Sequence, residues 1–308
     1  MAGRWQGRTA LVTGASSGVG LEIARALAGE GARMLLPVRD LERGFRAVDT
    51  IRRSVPDAQI DLCDLDLASL ASVERLVAEL RATPIDLYVM NAGIVLLGEP
   101  DRRVTEDGNE LHFQTNFLGH FALTRGLLPQ LPGTRIAVQG SLAAARHRLD
   151  WRDLQSEHGY RPLRAYAASK VALGLFALEL ARRGAADGFA VNLCHPGVVP
   201  DTGIAAGVRT SRQPGVGGWI ARKIGGTPVE GARPALMALE SDAPRPRFFA
   251  PSRFFGCGGA PVERRFPSTL VDPDEQTRMW TVAEQLVGEP GGMGEPAADG
   301  QSTRRNVK

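Results

Sequence analysis

The sequence predicts a single α/β domain in which helices cover both faces of a doubly wound parallel sheet. Two observations predict it: short apolar runs alternate with segments of helical periodicity, and a glycine-rich turn joins the first strand to the first helix. The chain has 308 residues, of which 43% are hydrophobic and 23% are charged. This composition supplies a sizeable core and excludes a chain that is disordered throughout.

The first strand is predicted at residues 8–13, an apolar run that ends in glycines. The first helix is predicted at 18–29, where apolar residues recur at helical spacing. A second apolar run at 32–38 predicts the second strand. We place Pro37 near the end of that strand, because a proline cannot donate a hydrogen bond to a central ladder.

Residues 60–67 alternate apolar and acidic side chains and predict the third strand, and 70–80 predict a helix with one apolar face. Similar patterns predict three more strands and two long helices, at 85–90, 135–139 and 190–194 and at 108–127 and 163–183. Because parallel strands need crossover connections, this alternation predicts right-handed strand–helix–strand units.

One domain is predicted to occupy residues 1–287, and two of its segments break the alternation. Residues 141–165 are predicted to be an insertion, and the glycine-rich residues 198–226 a substrate lid, because long loops in compact domains are usually functional or disordered. Residues 288–308 contain five glycines and almost no large apolar side chain. They are predicted to be a flexible tail.

The charge balance and the cysteines exclude several classes of protein. The 37 basic and 34 acidic residues leave a net charge of +3, and no basic tract is interleaved with aromatic residues, so nucleic-acid binding is not predicted. No apolar run reaches the roughly 18 residues that cross a bilayer, and the apolar stretch near the N-terminus is too short to predict a signal peptide. Cys63, Cys194 and Cys257 are scattered as in reduced, metal-free proteins. We therefore predict a cytoplasmic protein without a membrane span or a metal ion, in which the helical His112 and His120 are structural.

The segment Thr13-Gly14-Ala15-Ser16-Ser17-Gly18-Val19-Gly20 follows the first strand and opens the first helix. Its glycines permit a tight turn and close approach of the backbone to a pyrophosphate, and the helix N-terminus presents free N–H groups. The alternative is a plain Gly/Ser-rich turn, which the position at the first strand–helix junction disfavours. The predicted dinucleotide contacts are Gly14, Ser16, Ser17, Gly18, Val19 and Gly20.

Tyr166 and Lys170 lie four residues apart on the second long helix and therefore on one face. A lysine ammonium beside a phenol favours the phenolate, so the pKa of Tyr166 is expected to fall below its usual value of about 10. Such a phenol can pass a proton to or from a substrate oxygen. A buried tyrosine and a solvated lysine would be the alternative, but the chain has only three residues of each type, so a chance pairing is rare.

The G-x-x-x-G-x-G spacing of the turn, together with Tyr166 and Lys170, resembles the short-chain dehydrogenase/reductase family, whose fold is of the Rossmann type. The resemblance implies that Tyr166 is the general acid/base and that Lys170 lowers its pKa and holds the nicotinamide ribose. It further implies that Ser141 shares the substrate oxygen and that Asn116 completes a proton relay.

Further cofactor contacts are implied by matches to the family's other motifs. Met90 stands where the family usually has an asparagine, a departure expected to loosen a strand-stabilising hydrogen bond. Asp66 and Leu67 resemble the pair that contacts adenine, with Asp64-Leu65 as a rival two residues earlier. The remaining implied contacts are Asn91, Ala92, Gly93, Pro196, Gly197, Val199 and Thr202.

The end of the second strand distinguishes the two nicotinamide cofactors. NAD-binding proteins place an acidic residue there, whereas this chain has Val38 followed by Arg39. The absent carboxylate and the nearby guanidinium favour a 2′-phosphate, so NADP(H) is predicted rather than NAD(H). The alternative is that Arg39 is a solvated charge paired with Asp40.

Ser141 and Tyr166 are separated by 25 positions. In this long spacing the chain resembles the branch of the family that contains retinol dehydrogenases and light-dependent protochlorophyllide reductase. The resemblance implies hydride transfer between nicotinamide and a fairly hydrophobic small-molecule alcohol or ketone. Reduction of a conjugated C=C bond, epimerisation, and a non-enzymatic NADP-binding regulatory role remain alternatives. The family resemblance also implies that the chain can form a homodimer through the two long helices.

Overall fold

The computed structural model describes residues 3–200, 225–243, 245–288 and 305–306. Within these residues one nine-stranded sheet forms the centre of the molecule, with strand order β8-β7-β6-β5-β4-β1-β2-β3-β9. Its strands are β1 Thr9–Val12, β2 Arg33–Val38, β3 Ile60–Asp64, β4 Leu87–Met90, β5 Arg135–Gln139, β6 Ala190–Cys194, β7 Phe248–Arg253, β8 Gly258–Arg264 and β9 Arg305–Asn306.

Strands β1 to β7 run parallel, and β8 and β9 pair antiparallel at the two edges. The predicted doubly wound parallel sheet is therefore confirmed. The chain reverses its winding direction between β1 and β4, which are neighbours in the sheet. In sheets of this kind ligands bind outside the carboxyl ends of the strands at such a switch point.

Helices pack on both faces of the sheet. On one face α1, α2 and α7 share a hydrophobic cluster, and on the other α3, α5, α6 and α8 share a second one. The helices are α1 Gly18–Gly29, α2 Leu41–Ser54, α3 Leu70–Leu80, α4 Leu111–Phe113, α5 Gly119–Leu127, α6 Pro162–Arg183, α7 Pro228–Glu240 and α8 Pro273–Val287. A π-helical turn, Gln114–Leu118, joins α4 to α5, and short 3₁₀ helices span Leu128–Gln130, Leu142–Arg146 and Phe254–Gly256.

The structure corrects two predicted elements. The third strand ends at Asp64 rather than at residue 67, because the Asp66 side chain accepts a hydrogen bond from the Ala68 N–H at 2.9 Å and forms a turn. The helix predicted at 108–127 begins at Leu111 and is interrupted by the π-helical turn. Helix α2, which the sequence reading did not identify, begins at Leu41, and the carboxylate of the preceding residue, Asp40, caps it.

Pro37 lies one residue from the end of β2, as expected. The backbone N–H of Arg33 points toward β1 and that of Met34 toward β3. Because these directions alternate along a strand, the nitrogen of Pro37 faces β1, beyond the last paired residue of β2 on that side, Leu35. The proline therefore removes no hydrogen bond from the ladder.

Helix α8 covers the outer surface of α5 and α6. The ring of Trp280, 3% exposed, packs 5.1 Å from the Phe121 ring and 5.8 Å from the Phe176 ring. The guanidinium of Arg183 lies 4.3 Å over the same indole. A homodimer formed through the two long helices would have to displace α8, and the dimer stays a prediction.

Several predicted segments fall partly beyond the described part of the chain. Residues 201–224 of the proposed lid, including Thr202, lie outside it, as do 289–304 and 307–308 of the proposed tail. Arg305–Asn306 of that tail forms the short strand β9 against β3. No helix within the described ranges combines the length and apolarity needed to cross a membrane.

Candidate active site

The end of β1 is tied to the end of β4 at the switch point of the sheet. The hydroxyl of Thr13, a fully buried side chain, accepts the N–H groups of Asn91 and Ala92 at 3.0 and 3.1 Å. The amide of Asn91 in turn donates to the Thr13 carbonyl at 2.9 Å. Thr13 therefore positions two of the predicted cofactor residues. Sequence reasoning missed this role, although Thr13 directly precedes the glycine turn.

The glycines of the turn are required by close backbone contacts. Gly14 has a φ of +69°, and a Cβ there would lie 2.8 Å from the Cα of Ala92. A Cβ on Gly20 would lie 2.4 Å from the side-chain nitrogen of Asn91. A larger residue at either position would push the turn away from the end of β4. The glycines therefore leave space for a ligand in the crevice at the carboxyl ends of β1 and β4.

The N-terminus of α1 is left without a side-chain cap. Ser17 occupies the N-cap position of α1 but makes no capping bond, whereas Asp40 and Ser69 cap α2 and α3. The first turn of α1 also carries no acidic residue. Uncapped N–H groups and the positive end of the helix dipole suit an anion. This end of the crevice therefore fits a pyrophosphate, with Ser16, Ser17 and Gly18 half-buried around it.

At the end of β2, Val38 is buried against Gly44 of α2, and Arg39 is exposed. The carboxylate of Asp40 accepts the Arg43 N–H at 3.0 Å as the cap of α2. Asp40 is thus engaged by the backbone of its own helix, and the Arg39 side chain stands at the carboxyl edge of the sheet.

Beyond β3, Asp66 lies in the loop at the same edge, and Leu67 is buried beneath it. A Cβ on Gly119 would lie 2.4 Å from the Leu67 carbonyl oxygen, so α5 packs tightly against this loop. The rival Asp64 is the last residue of β3, and its carboxylate lies 3.9 Å from the Arg75 guanidinium.

Gln139, the last residue of β5, links the cofactor side of the site to Lys170. Its side chain donates to Asn91 Oδ1 at 3.0 Å, and its carbonyl oxygen accepts the Lys170 ammonium at 3.1 Å. Met90 is fully buried in the core, and the strand end that it was expected to loosen is held through Asn91. Gln139 is a second site residue that the sequence reading overlooked.

The π-helical turn brings Asn116 next to Lys170. The Asn116 side chain accepts the Ile94 N–H at 2.7 Å and donates to Ser169 Oγ at 2.9 Å. A Cβ on Gly93 would lie 3.0 Å from Asn116 Oδ1 and 3.4 Å from Lys170 Nζ. The missing side chain of Gly93 therefore leaves room for both polar groups beside its Cα. A π-helical turn inserts one residue into a helix and redirects its neighbours, which accounts for this position.

The side chain of Ser141 interacts with the Tyr166 hydroxyl near the end of β5. Burial raises the pKa of the Tyr166 hydroxyl above its usual value, while the interaction with Ser141 acts in the opposite direction. The expected lowering by Lys170 is therefore wrong for the protein alone. Lys170 is itself buried, which lowers the pKa of its ammonium to about 8, and it donates to Gln139.

A buried Glu110–His112 pair lies beside Tyr166. Both side chains are 1% exposed, and His112 Nδ1 is 2.8 Å from a Glu110 oxygen. Because the Leu96 N–H donates to His112 Nε2 at 3.1 Å, the proton of a neutral His112 lies on Nδ1. The imidazole is edge-on to the Tyr166 ring, with centroids 6.3 Å apart.

The same pair reaches the predicted insertion through Tyr160. Burial and the nearby Glu110 carboxylate raise the pKa of Tyr160 to about 12. The insertion therefore places Tyr160 next to this pair. The Glu-x-His spacing a short distance before Asn116 was the only sequence signal for this pair.

The turn after β6 lies on the opposite side of the crevice. Gly197 has a φ of +84°, and a Cβ there would lie 2.5 Å from the Cys257 carbonyl oxygen. The side chains of Val199 and Val19 are both buried and meet at Gly231 of α7. Pro196 and Gly197 therefore line the crevice, while the two valines pack under it.

Three comparisons with known proteins agree with this geometry. A family model described as short chain dehydrogenase matches residues 8–213. A mouse polyprenol dehydrogenase is 38% identical over 93% of this chain and 85% of its own length, and mouse retinol dehydrogenase 14 is 32% identical over 93% and 87%. The crystal structure of an uncharacterised Mycobacterium paratuberculosis protein superposes with a TM-score of 0.75 at 31% identity, over 93% of this chain and 95% of that one.

Proposed function

The chain belongs to the short-chain dehydrogenase family of oxidoreductases, and we propose that it interconverts an alcohol and a carbonyl on an apolar substrate with NADP(H). The resemblance predicted from the sequence, including the retinol dehydrogenase branch, is confirmed at the level of the family and its relatives. One observation carries the proposal: Ser141 interacts with Tyr166 at the strand ends, where Lys170 and Asn116 lie together beside Gly93.

The residues of the crevice fit a nicotinamide dinucleotide. The uncapped α1 N-terminus would hold the pyrophosphate, Arg39 the 2′-phosphate, Asp66 and Leu67 the adenine, and the segment 91–93 with Pro196 and Gly197 the nicotinamide end. When bound, the cofactor supplies the hydride acceptor for oxidation and the hydride donor for reduction.

The side chains of this protein would move and hold the proton. In reduction the Tyr166 hydroxyl donates its proton to the substrate oxygen, and in oxidation the same oxygen accepts it. Ser141, whose side chain interacts with that hydroxyl, would orient the substrate oxygen. Lys170, which donates to the Gln139 carbonyl, would hold the nicotinamide ribose, and Asn116 holds the loop at Ile94.

The names of the relatives suggest the class of substrate. Polyprenols and retinol are apolar isoprenoid alcohols with a terminal hydroxyl group. In this chain Leu163 is 58% exposed one turn before Tyr166 on α6, and Leu142 directly follows Ser141. Apolar side chains beside the reacting hydroxyls support an isoprenoid-type primary alcohol and its aldehyde as the substrate pair.

The proposal is tested by cofactor turnover. We expect NADPH to be oxidised with retinal and with linear isoprenoid aldehydes, and the product to be the alcohol with its C=C bonds intact. A saturated product would favour C=C reduction, and conversion of stereochemistry without net cofactor oxidation would favour epimerisation. Cofactor binding without turnover of aldehydes, ketones or enones would contradict the proposal and favour a regulatory protein.

Replacing Arg39 is expected to change cofactor preference. Arg39→Ala removes a charged partner of the 2′-phosphate, and such a bond changes affinity by about 10–100-fold. NADPH affinity should fall by that factor while NADH affinity changes little, as measured by titrating nucleotide fluorescence. Arg53→Ala, at the far end of α2, removes an equally exposed guanidinium and serves as the control. Equal losses for both cofactors would reject the NADP(H) preference.

Replacing Glu110 is expected to disturb Tyr166 without touching the substrate. Glu110→Gln substitutes a donor for one of the oxygens that accept from His112 and Phe113. We expect a stability loss of about 1–3 kcal/mol and a fall in kcat with a shifted pH profile. Glu106→Gln, an exposed carboxylate on the preceding loop, is the matched control. A variant that lost stability but kept the wild-type pH profile would show that the pair is merely structural.

A further inference from the structure

Two phenylalanines project from the tip of the β7–β8 hairpin. Phe254 is 56% exposed and Phe255 is 90% exposed, in the short 3₁₀ turn that joins the strands. Both have left-handed backbones, with φ of +50° and +57°. Among the residues that the structure describes, packing against the fold therefore does not explain why aromatic residues stand at these two positions.

This backbone is unfavourable for bulky residues. A left-handed φ brings Cβ close to the following carbonyl oxygen, and glycine and asparagine adopt it far more readily than phenylalanine. Strained residues of this kind usually persist where they have a function. The exposed pair thus lowers both stability and solubility in the isolated chain, and a partner that covers the rings would account for it.

The hairpin is also the site of a local positive charge. Residues 245–265 contain five arginines and a single acidic residue, Glu263, whereas the formal net charge of all 308 residues is only +3. Glu263 pairs with Arg247 at 2.7 Å. Arg253, the last residue of β7, is exposed directly before Phe254, whereas Arg247, Arg264 and Arg265 lie at the opposite end of the hairpin. One guanidinium group therefore adjoins the exposed rings.

The hairpin tip lies on the rim of the candidate active site. A Cβ on Gly256 would lie 3.3 Å from Leu142, the residue after Ser141. The Cys257 carbonyl accepts the Val198 N–H at 2.9 Å, in the turn that follows Gly197. A surface that bound the two rings would therefore lie next to the opening of the crevice.

We propose that the tip of the β7–β8 hairpin docks on the surface of an anionic phospholipid bilayer. The rings of Phe254 and Phe255 enter the boundary between headgroups and acyl chains, and Arg253 contacts a lipid phosphate. This is peripheral binding and involves no membrane-crossing helix. It places the rim of the site against the layer in which apolar alcohols dissolve, but it does not require the oxidoreductase proposal to be correct.

Flotation of the full chain with lipid vesicles tests the docking surface. We expect binding to vesicles that mix phosphatidylglycerol with phosphatidylcholine, and weak binding to phosphatidylcholine alone. The double variant Phe254→Asn/Phe255→Asn should lose at least about tenfold in vesicle affinity, because it removes both apolar rings. Because asparagine tolerates the left-handed backbone, the Tm of this double variant should equal or exceed that of the wild type. Arg253→Gln should weaken the preference for phosphatidylglycerol, and Leu286→Ser, an exposed apolar residue on α8, should bind like the wild type.

Three outcomes would overturn the docking surface. The first is a wild-type chain that binds neither kind of vesicle. The second is a Phe254→Asn/Phe255→Asn variant that binds as well as the wild type, particularly with a lowered Tm, which would make the rings structural. The third is a change of sedimentation coefficient in that variant without lipid, which would make the tip a contact between copies of the chain. Binding is measured without cofactor or substrate, so its failure leaves the oxidoreductase proposal standing.

Discussion

Tyr166→Phe is expected to lower kcat by about 10²–10⁴-fold, the range that general acid–base catalysis contributes, while cofactor affinity stays close to that of the wild type. The substitution removes one oxygen from a side chain whose ring is already held in place. The His112 imidazole remains edge-on to the ring, and Ser141 keeps its own bond to the Ala143 N–H at 3.2 Å. The loss should therefore be confined to proton transfer.

Single-turnover kinetics with NADPH and nucleotide titration would separate chemistry from binding in this variant. Tyr160→Phe is the matched control, because it removes a phenol oxygen that lies near Glu110 rather than near Ser141. It should retain most of the rate. Wild-type turnover in Tyr166→Phe would contradict the mechanism, and so would an equal loss in the two variants.

The parts of the fold that were predictable are those with an uninterrupted apolar signal. β2, β5 and β6 are short runs buried between helices, and their predicted bounds agree with the observed ones to within one residue. Helix α2 escaped notice because its buried face consists of Gly44, Ala47, Val48 and Ile51, set among charged residues. The antiparallel strand β8 alternates buried and exposed positions only weakly, since it lies at an edge of the sheet.

The features of the site can likewise be separated into those that the sequence predicts and those that depend on the fold. Spacing alone pairs Tyr166 with Lys170, because residues four apart on a helix share a face. The position of Asn116 depends on a π-helical turn, which leaves no trace in the apolar pattern. The direction of the Tyr166 pKa shift depends on how deeply the fold buries the phenol, and burial is a property of tertiary packing. The local sequence therefore identifies the candidate catalytic side chains, and the fold sets their positions and pKa values.

Lys170→Met is expected to raise stability at neutral pH while it abolishes turnover. The Lys170 ammonium is buried, and its pKa falls from the usual 10.5 to about 8. The two flanking imidazoles do not replace its charge, because burial lowers the pKa values of His120 and His195 to about 4. A methionine of similar length would fill the same space without a charge, at the loss of the bond to the Gln139 carbonyl. We expect a net gain of roughly 1–3 kcal/mol and a Tm higher by a few degrees.

The pH dependence of that gain identifies its cause. Below pH 8 the lysine is charged in both the folded and unfolded chain, so the whole cost of burying the ammonium is present. As the pH rises from about 8 to 10.5, the folded state loses its proton first, and the cost disappears. The difference in Tm between Lys170→Met and the wild type should therefore be largest below pH 8 and shrink toward pH 10.5. A variant less stable than the wild type at pH 7 would show that the buried ammonium stabilises the fold. The presence of Lys170 could then be explained by stability alone, without a catalytic role.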